Sequence, residues 1–150
     1  MKRIVAIFLI AVFLLGAFAG TAEASERDVN TIYFADGSYM VEAIEVFNMR
    51  ASGSITGNKR YTYYDSDDVS QWRVTLTGKF TYTGSSATCT SSSVDVAIYD
   101  SSWYISSKSA SKSGNKATGN VKMGDRPVDV TLSIVPVNLT LTCDANGNLS

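Results

Sequence analysis

WRVTLTGKFTYTG (Trp72–Gly84) decides the fold class of this chain. Trp72, Val74, Leu76, Phe80 and Tyr82 recur at every second position, with Gly78 filling the one gap. Arg73, Thr75, Thr77, Lys79 and Thr81 occupy the places between them. Successive side chains of a strand point to opposite faces, so this alternation separates a bulky apolar face from a polar one. Gly84-Ser85 supplies a tight turn. ATCTSSS (87–93) then returns with Ala87, Cys89 and Ser91 on one side. In VDVAIYD (94–100) the residues Val94, Val96 and Ile98 come in the opposite phase. The serines at 91 to 93 must therefore absorb one residue, as a bulge or a strand break.

The same period extends outward in both directions. TIYFADGSYMVEAIEV (31–46) reads as a hairpin turning at Asp36-Gly37. NMRASGSITGNKR (48–60) reads as a Gly/Ser loop, and KRYTYYD (59–65) alternates again, with Tyr61 and Tyr63 on one face and Tyr64 on the other. SWYISSKSAS (102–111) is a more polar strand, and KATGNVKM (116–123) leads to a turn near Gly124-Asp125. Val128, Val130, Leu132 and Ile134 share one face, and Val137, Leu139, Leu141 and Cys143 share the other. The phase slips beside Pro136, which cannot donate to a ladder and belongs on an edge or at a bulge. No helical period occurs after residue 25. The pattern predicts an all-β fold: one antiparallel β-sandwich over residues 25–150, immunoglobulin-like first and a β-barrel second.

Residues 1–24 read as a cleaved secretory signal peptide. Lys2 and Arg3 form its positive start, Ile4 to Gly20 its uncharged apolar run, and Ala22-Glu23-Ala24 its small-residue cleavage site. The mature chain is expected to begin at Ser25 and to be secreted, with no membrane association after cleavage. Of the 13 basic and 14 acidic residues, Lys2, Arg3 and Glu23 leave with the leader, so 11 and 13 remain and the net charge is −2. That balance argues against nucleic acid as a partner.

The two cysteines, Cys89 and Cys143, both fall on the apolar phase of strands. An even count in an exported chain predicts a disulfide between them. It would close a loop of ~55 residues and add roughly 4 kcal/mol on the chain-entropy model.

The chain contains no histidine, which removes the commonest general base, the Ser-His-Asp and Cys-His nucleophile systems and most zinc sites. Ser109-x-x-Lys112 and Ser113-x-x-Lys116 match the S-x-x-K signature of serine acyl-enzymes. On a strand, positions three apart face opposite ways, so the lysine could not take the serine proton. The bland reading, a solvated strand face followed by a Gly-Asn turn, is preferred. Asp65, Asp67 and Asp68 are weak metal candidates: the sixth and twelfth positions counted from Asp65 are Ser70 and Leu76, where a calcium loop needs Gly and Glu. Glu42 and Glu45, three apart on a strand, do not form a glycosidase pair. No catalytic residue and no cofactor is expected.

Aromatic side chains exceed what one small core needs. Trp103, Tyr104, Tyr61 and Tyr63 are the candidate ligand-binding residues, for an extracellular glycan or protein. The stretches YTYYDSD, VTLTGKFTYTGSSATCTSSSVDVAIYDSSWYISSKSASKSGNKATGNVKM and LTLTCDANGNLS resemble those of small secreted, hypothetical proteins of gut Gram-positive anaerobes. MGDRPVD departs from the more basic turn of that group. The resemblance implies an extracellular, bacterial protein and assigns no residue a role. The expectation for function is a non-enzymatic extracellular interaction module. A small secreted effector, bacteriocin-like or a toxin, is the alternative, and a carboxylate-based hydrolase using Asp65 or Glu42 comes third.

Overall fold

The computed structural model describes residues 25–47, 53–126 and 133–150. The segment 1–24 expected to be a leader, the Gly/Ser segment 48–52 and the alternation expected at Val128, Val130 and Leu132 lie outside them. The described residues contain no helix. They form β1 (Ser25–Tyr33), β2 (Tyr39–Phe47), β3 (Ser54–Tyr64), β4 (Ser70–Tyr82), β5 (Ala87–Ile98), β6 (Trp103–Ser113), β7 (Lys116–Asp125) and β8 (Ile134–Thr142).

The strands make two antiparallel sheets, a five-stranded one in the order β1-β2-β3-β4-β5 and a three-stranded one in the order β6-β7-β8. The chain completes the first sheet before it starts the second. An immunoglobulin sandwich interleaves its two sheets along the chain, so the observed order is instead a meander folded in two. The sheets do not close into a barrel, because no described ladder joins β5 to β6 or β1 to β8.

The alternation around Trp72 becomes the centre of the core. Trp72, Val74, Leu76 and Phe80 on β4 are fully shielded, as are Ala117 and Met123 on β7 and Leu139 and Leu141 on β8. Each such large side chain contributes roughly 1.5–3 kcal/mol of transfer free energy. The sheets approach closely where side chains are missing. A Cβ on Gly119 of β7 would lie 3.2 Å from both Leu76 Cδ1 and Val94 Cγ2, and one on Gly78 of β4 would lie 3.2 Å from Ala117 Cβ.

Three hairpins share one turn geometry. In Phe34–Ser38, Asp65–Val69 and Asp144–Asn148 the first N–H donates to the fifth carbonyl, and the fourth N–H donates to the first carbonyl. The fourth residue is left-handed in each: Gly37, Asp68 and Gly147. This is a type I turn closed by a left-handed residue. Asp144 accepts the Asn146 and Asn148 N–H groups at 2.8 Å each. The segment after it pairs back on β8 through Cys143 and Leu149. Leu149 is buried where Gly57 leaves room for it.

Several local readings shift. The bulge expected among Ser91–Ser93 lies one residue earlier: Lys79 faces Ser91 and Phe80 faces Cys89, so Thr90 has no partner. Its hydroxyl donates to the Lys79 carbonyl at 3.1 Å. The loop expected through residue 60 is a strand from Ser54, hidden in the sequence because Gly57 and Lys59 occupy inward positions. β7 runs through Gly124 and Asp125, where a turn was expected. Pro136 sits on β8, the edge strand of its sheet, as its missing donor requires. β6 is exposed on both faces from Ile105 to Ser113.

The expected disulfide is not formed: Cys89 and Cys143 are buried free thiols. Each is turned to a nearby carbonyl of its own segment. The Cys89 thiol donates to Ser91 O at 3.3 Å and the Cys143 thiol to Asp144 O at 3.4 Å. The β6–β7 turn holds their backbones, with Gly114 O accepting from Cys89 N at 2.7 Å and Asn115 O from Cys143 N at 3.0 Å. Burial pushes both thiols up from their ordinary pKa, and Asp144 and the neighbouring Cys89 add to the shift at Cys143.

Candidate functional site

The outward face of the five-stranded sheet carries an aromatic row that ladder register creates. Tyr33 on β1 stands opposite Tyr39 on β2, which stands opposite Tyr64 on β3. Tyr39 and Tyr64 stack with centroids 4.9 Å apart at 12°, and Tyr33 and Tyr39 lie 5.7 Å apart at 39°. Tyr33, at the end of the row, is 75% exposed. The Tyr39 hydroxyl donates to Asp68 Oδ1 at 3.0 Å. Partial burial, and after it this bond, push the Tyr39 phenol pKa up.

Beside the row lies a groove of about 420 Å³. Val41, Ala43 and Thr62 line it together with Tyr39, Tyr64, Arg60 and Arg73. Its polar groups are held from below and from the side. Arg73 Nε donates to Thr62 Oγ1 at 3.1 Å, and its guanidinium lies 6.0 Å from the Tyr99 ring centroid. Arg60 is ion-paired to Glu45, which also accepts from Asn58 Nδ2 at 3.4 Å. No carboxylate pairs with Arg73 among the described residues.

The residues singled out in the sequence divide among three places. Tyr63 and Trp103 come together, edge to face with centroids 5.3 Å apart, and both pack on buried Trp72 at 5.1 and 5.8 Å. They line a second cavity, of about 240 Å³, with Phe34, Asp36, Asp125 and Val135. Tyr104, the next residue after Trp103 on β6, faces the other way. Its ring lies against Gly124, and the Arg126 guanidinium sits 5.1 Å from its centroid. Tyr61 points inward and donates to Glu42 Oε2 at 3.0 Å. Burial and that bond push its phenol up to about 12.

The acidic candidates are engaged in structure. Asp65 Oδ1 accepts from the Asp67 and Val69 N–H groups at 3.0 and 2.9 Å, and Oδ2 accepts from Gln71 Nε2 at 2.6 Å. Asp67 is exposed and Asp68 is taken by Tyr39. Among the described residues no three potential metal ligands cluster. Glu42 and Glu45 face opposite sides of the sheet, the first bonded to Lys59 at 2.6 Å and to Tyr61. Ser109 and Lys112 are both exposed on β6, and Lys112 Nζ donates to the Thr90 carbonyl at 2.7 Å.

Tyr33, Tyr39, Arg60 and Arg73 were not legible as a site in one dimension. The signal that was available is the pair Tyr33 and Tyr39 flanking the Asp36-Gly37 turn symmetrically, which places them side by side once the hairpin register is set. No family model, no curated protein and no solved structure matches this chain.

Proposed function

We propose that this chain is a secreted, non-enzymatic binding module whose five-stranded sheet takes an extended acidic glycan across its outward face. The observation that carries this reading is the tyrosine row opening into a groove edged by Arg73. Within the stack the inner ring faces cover one another, so a sugar ring meets the free face of Tyr33 and the phenolic edges of Tyr39 and Tyr64. Amphipathic rings suit this, since they cover the apolar face of a sugar and also hydrogen-bond its hydroxyls. Arg73 offers a planar fork of donors fitted to a carboxylate. Thr62, held by Arg73, and the floor at Ala43 are buried on a face that would otherwise meet water. Export through the leader places the groove where such polymers occur, and the absence of histidine supports binding without turnover.

Calorimetric titration of the mature chain with neutral and uronate-containing oligosaccharides tests this. The acidic series is expected to bind, and Tyr33→Ala and Arg73→Gln are each expected to weaken it by up to about tenfold. Tyr33 is exposed and Arg73 half-buried, both on the outward face away from the core, so the far-ultraviolet spectrum should not change. Affinity insensitive to both substitutions, or binding only to a protein partner, would remove the glycan from this face.

A further inference from the structure

The second cavity has the opposite electrostatic character. We propose that it binds a small organic cation of the methylated-ammonium class, walled by Phe34, Tyr63 and Trp103 and neutralised by Asp36 and Asp125. Four separate elements bring these groups together: the β1–β2 turn supplies Phe34 and Asp36, β3 supplies Tyr63, β6 supplies Trp103 and β7 supplies Asp125. The rings are held in place by one another. Phe34 and Tyr63 lie 6.0 Å apart at 57°, Tyr63 and Trp103 lie 5.3 Å apart at 66°, and Trp72 backs both Tyr63 and Trp103. A ring face attracts a cation placed within ~6 Å of its centroid, and several tilted rings around one space multiply that attraction.

The carboxylates add full charges to the quadrupoles of the rings. Asp36 Oδ1 accepts the Ser38 N–H at 3.0 Å and the Ser38 hydroxyl at 2.6 Å, which orients the group and holds its pKa below the usual carboxylate range. Asp125 is half-buried, with its backbone N–H tied to the Ser133 carbonyl at 3.0 Å. No lysine or arginine lines the cavity, and neither carboxylate has an ion-pair partner among the described residues. Among the described residues the lining charge is therefore negative. Asp36, Ser38, Asp125 and Ser133 can accept hydrogen bonds from a primary ammonium, but the ring faces of Phe34, Tyr63 and Trp103 and the Val135 side chain cannot, so on that side it gives up bonds to water. A methylated ammonium loses little, because its charge is spread over carbons that rings accept. A volume of about 240 Å³ admits such a head group.

The test is a tryptophan-fluorescence titration of the mature chain with choline chloride. The uncharged isostere 3,3-dimethylbutan-1-ol and sodium chloride run as parallel titrants. Saturable quenching by choline alone is expected. Phe34→Leu and Asp125→Asn should each weaken it about tenfold. Phe34 is 37% exposed on a turn, so its replacement leaves the core intact. Arg73→Gln, which disables the groove on the other face, should leave choline affinity unchanged, so the two sites fail independently. Equal binding of the neutral alcohol, absence of saturation, or unchanged affinity in both Phe34→Leu and Asp125→Asn overturns the proposal.

Discussion

Lys59 and Glu42 show how a single residue can disguise an element. Both project from the inward face of the five-stranded sheet, at positions where the alternation calls for apolar side chains. Their side chains keep only 16% and 9% of their exposure, and they meet at 2.6 Å. Tyr61 completes the group by donating to the same carboxylate. Removing one member of a buried pair strands the other charge, whereas replacing both with apolar groups removes the penalty altogether. Glu42→Gln is therefore expected to cost about 3 kcal/mol, and the double change Glu42→Leu with Lys59→Met to return stability to near the parent value. Urea denaturation of the three proteins checks it. A loss below ~1 kcal/mol in the single variant would mean that water screens the pair as it does at a surface.

At the scale of the element, the two sheets meet through an absence. Gly119 of β7 lies against Leu76 of β4 and Val94 of β5 with no side chain between them. Gly119→Val raises the intrinsic strand preference of β7 and yet should destabilise the protein by about 1–3 kcal/mol, because overpacking outweighs propensity. Asn120→Val, one residue along on the exposed side, should stay within ~0.5 kcal/mol. Comparing the two denaturation midpoints separates packing from propensity, and equal midpoints would contradict a tight sheet–sheet contact at Gly119. The same contrast explains which strands were legible. β4 alternates cleanly because the second sheet covers one face of it. β6 reads weakly because its inward positions, Lys108, Ala110 and Lys112, are exposed, with Lys112 reaching the Thr90 carbonyl. β3 was partly missed because Gly57 makes room for Leu149 and Lys59 serves Glu42.

At the scale of the whole molecule, the two cysteines report on closure. Cys89 belongs to the edge strand of one sheet, and Cys143 continues the edge strand of the other. The Gly114-Asn115 turn clamps both through backbone bonds. Burial and the raised thiol pKa values disfavour the reactive thiolate in the folded state. A thiol-specific disulfide reagent at mildly alkaline pH is expected to modify neither cysteine in the native protein and both in denaturant without reductant. No reactive thiol in denaturant would instead show that the pair is bridged.

Period-two alternation determined by itself that this chain forms antiparallel sheets, because each strand's faces are dictated locally by backbone geometry. The turn at Asp36-Gly37 and the edge placement of Pro136 followed from backbone chemistry as local as that. Only the tertiary structure decided how the chain divides into five strands and three, and that the two cysteines are free thiols. It also decided that Tyr63 joins Trp103 in one cavity while Tyr33, Tyr39 and Tyr64 line up on the opposite face. Those outcomes depend on register and on which sheet faces which, and both are settled by packing between residues far apart in the chain.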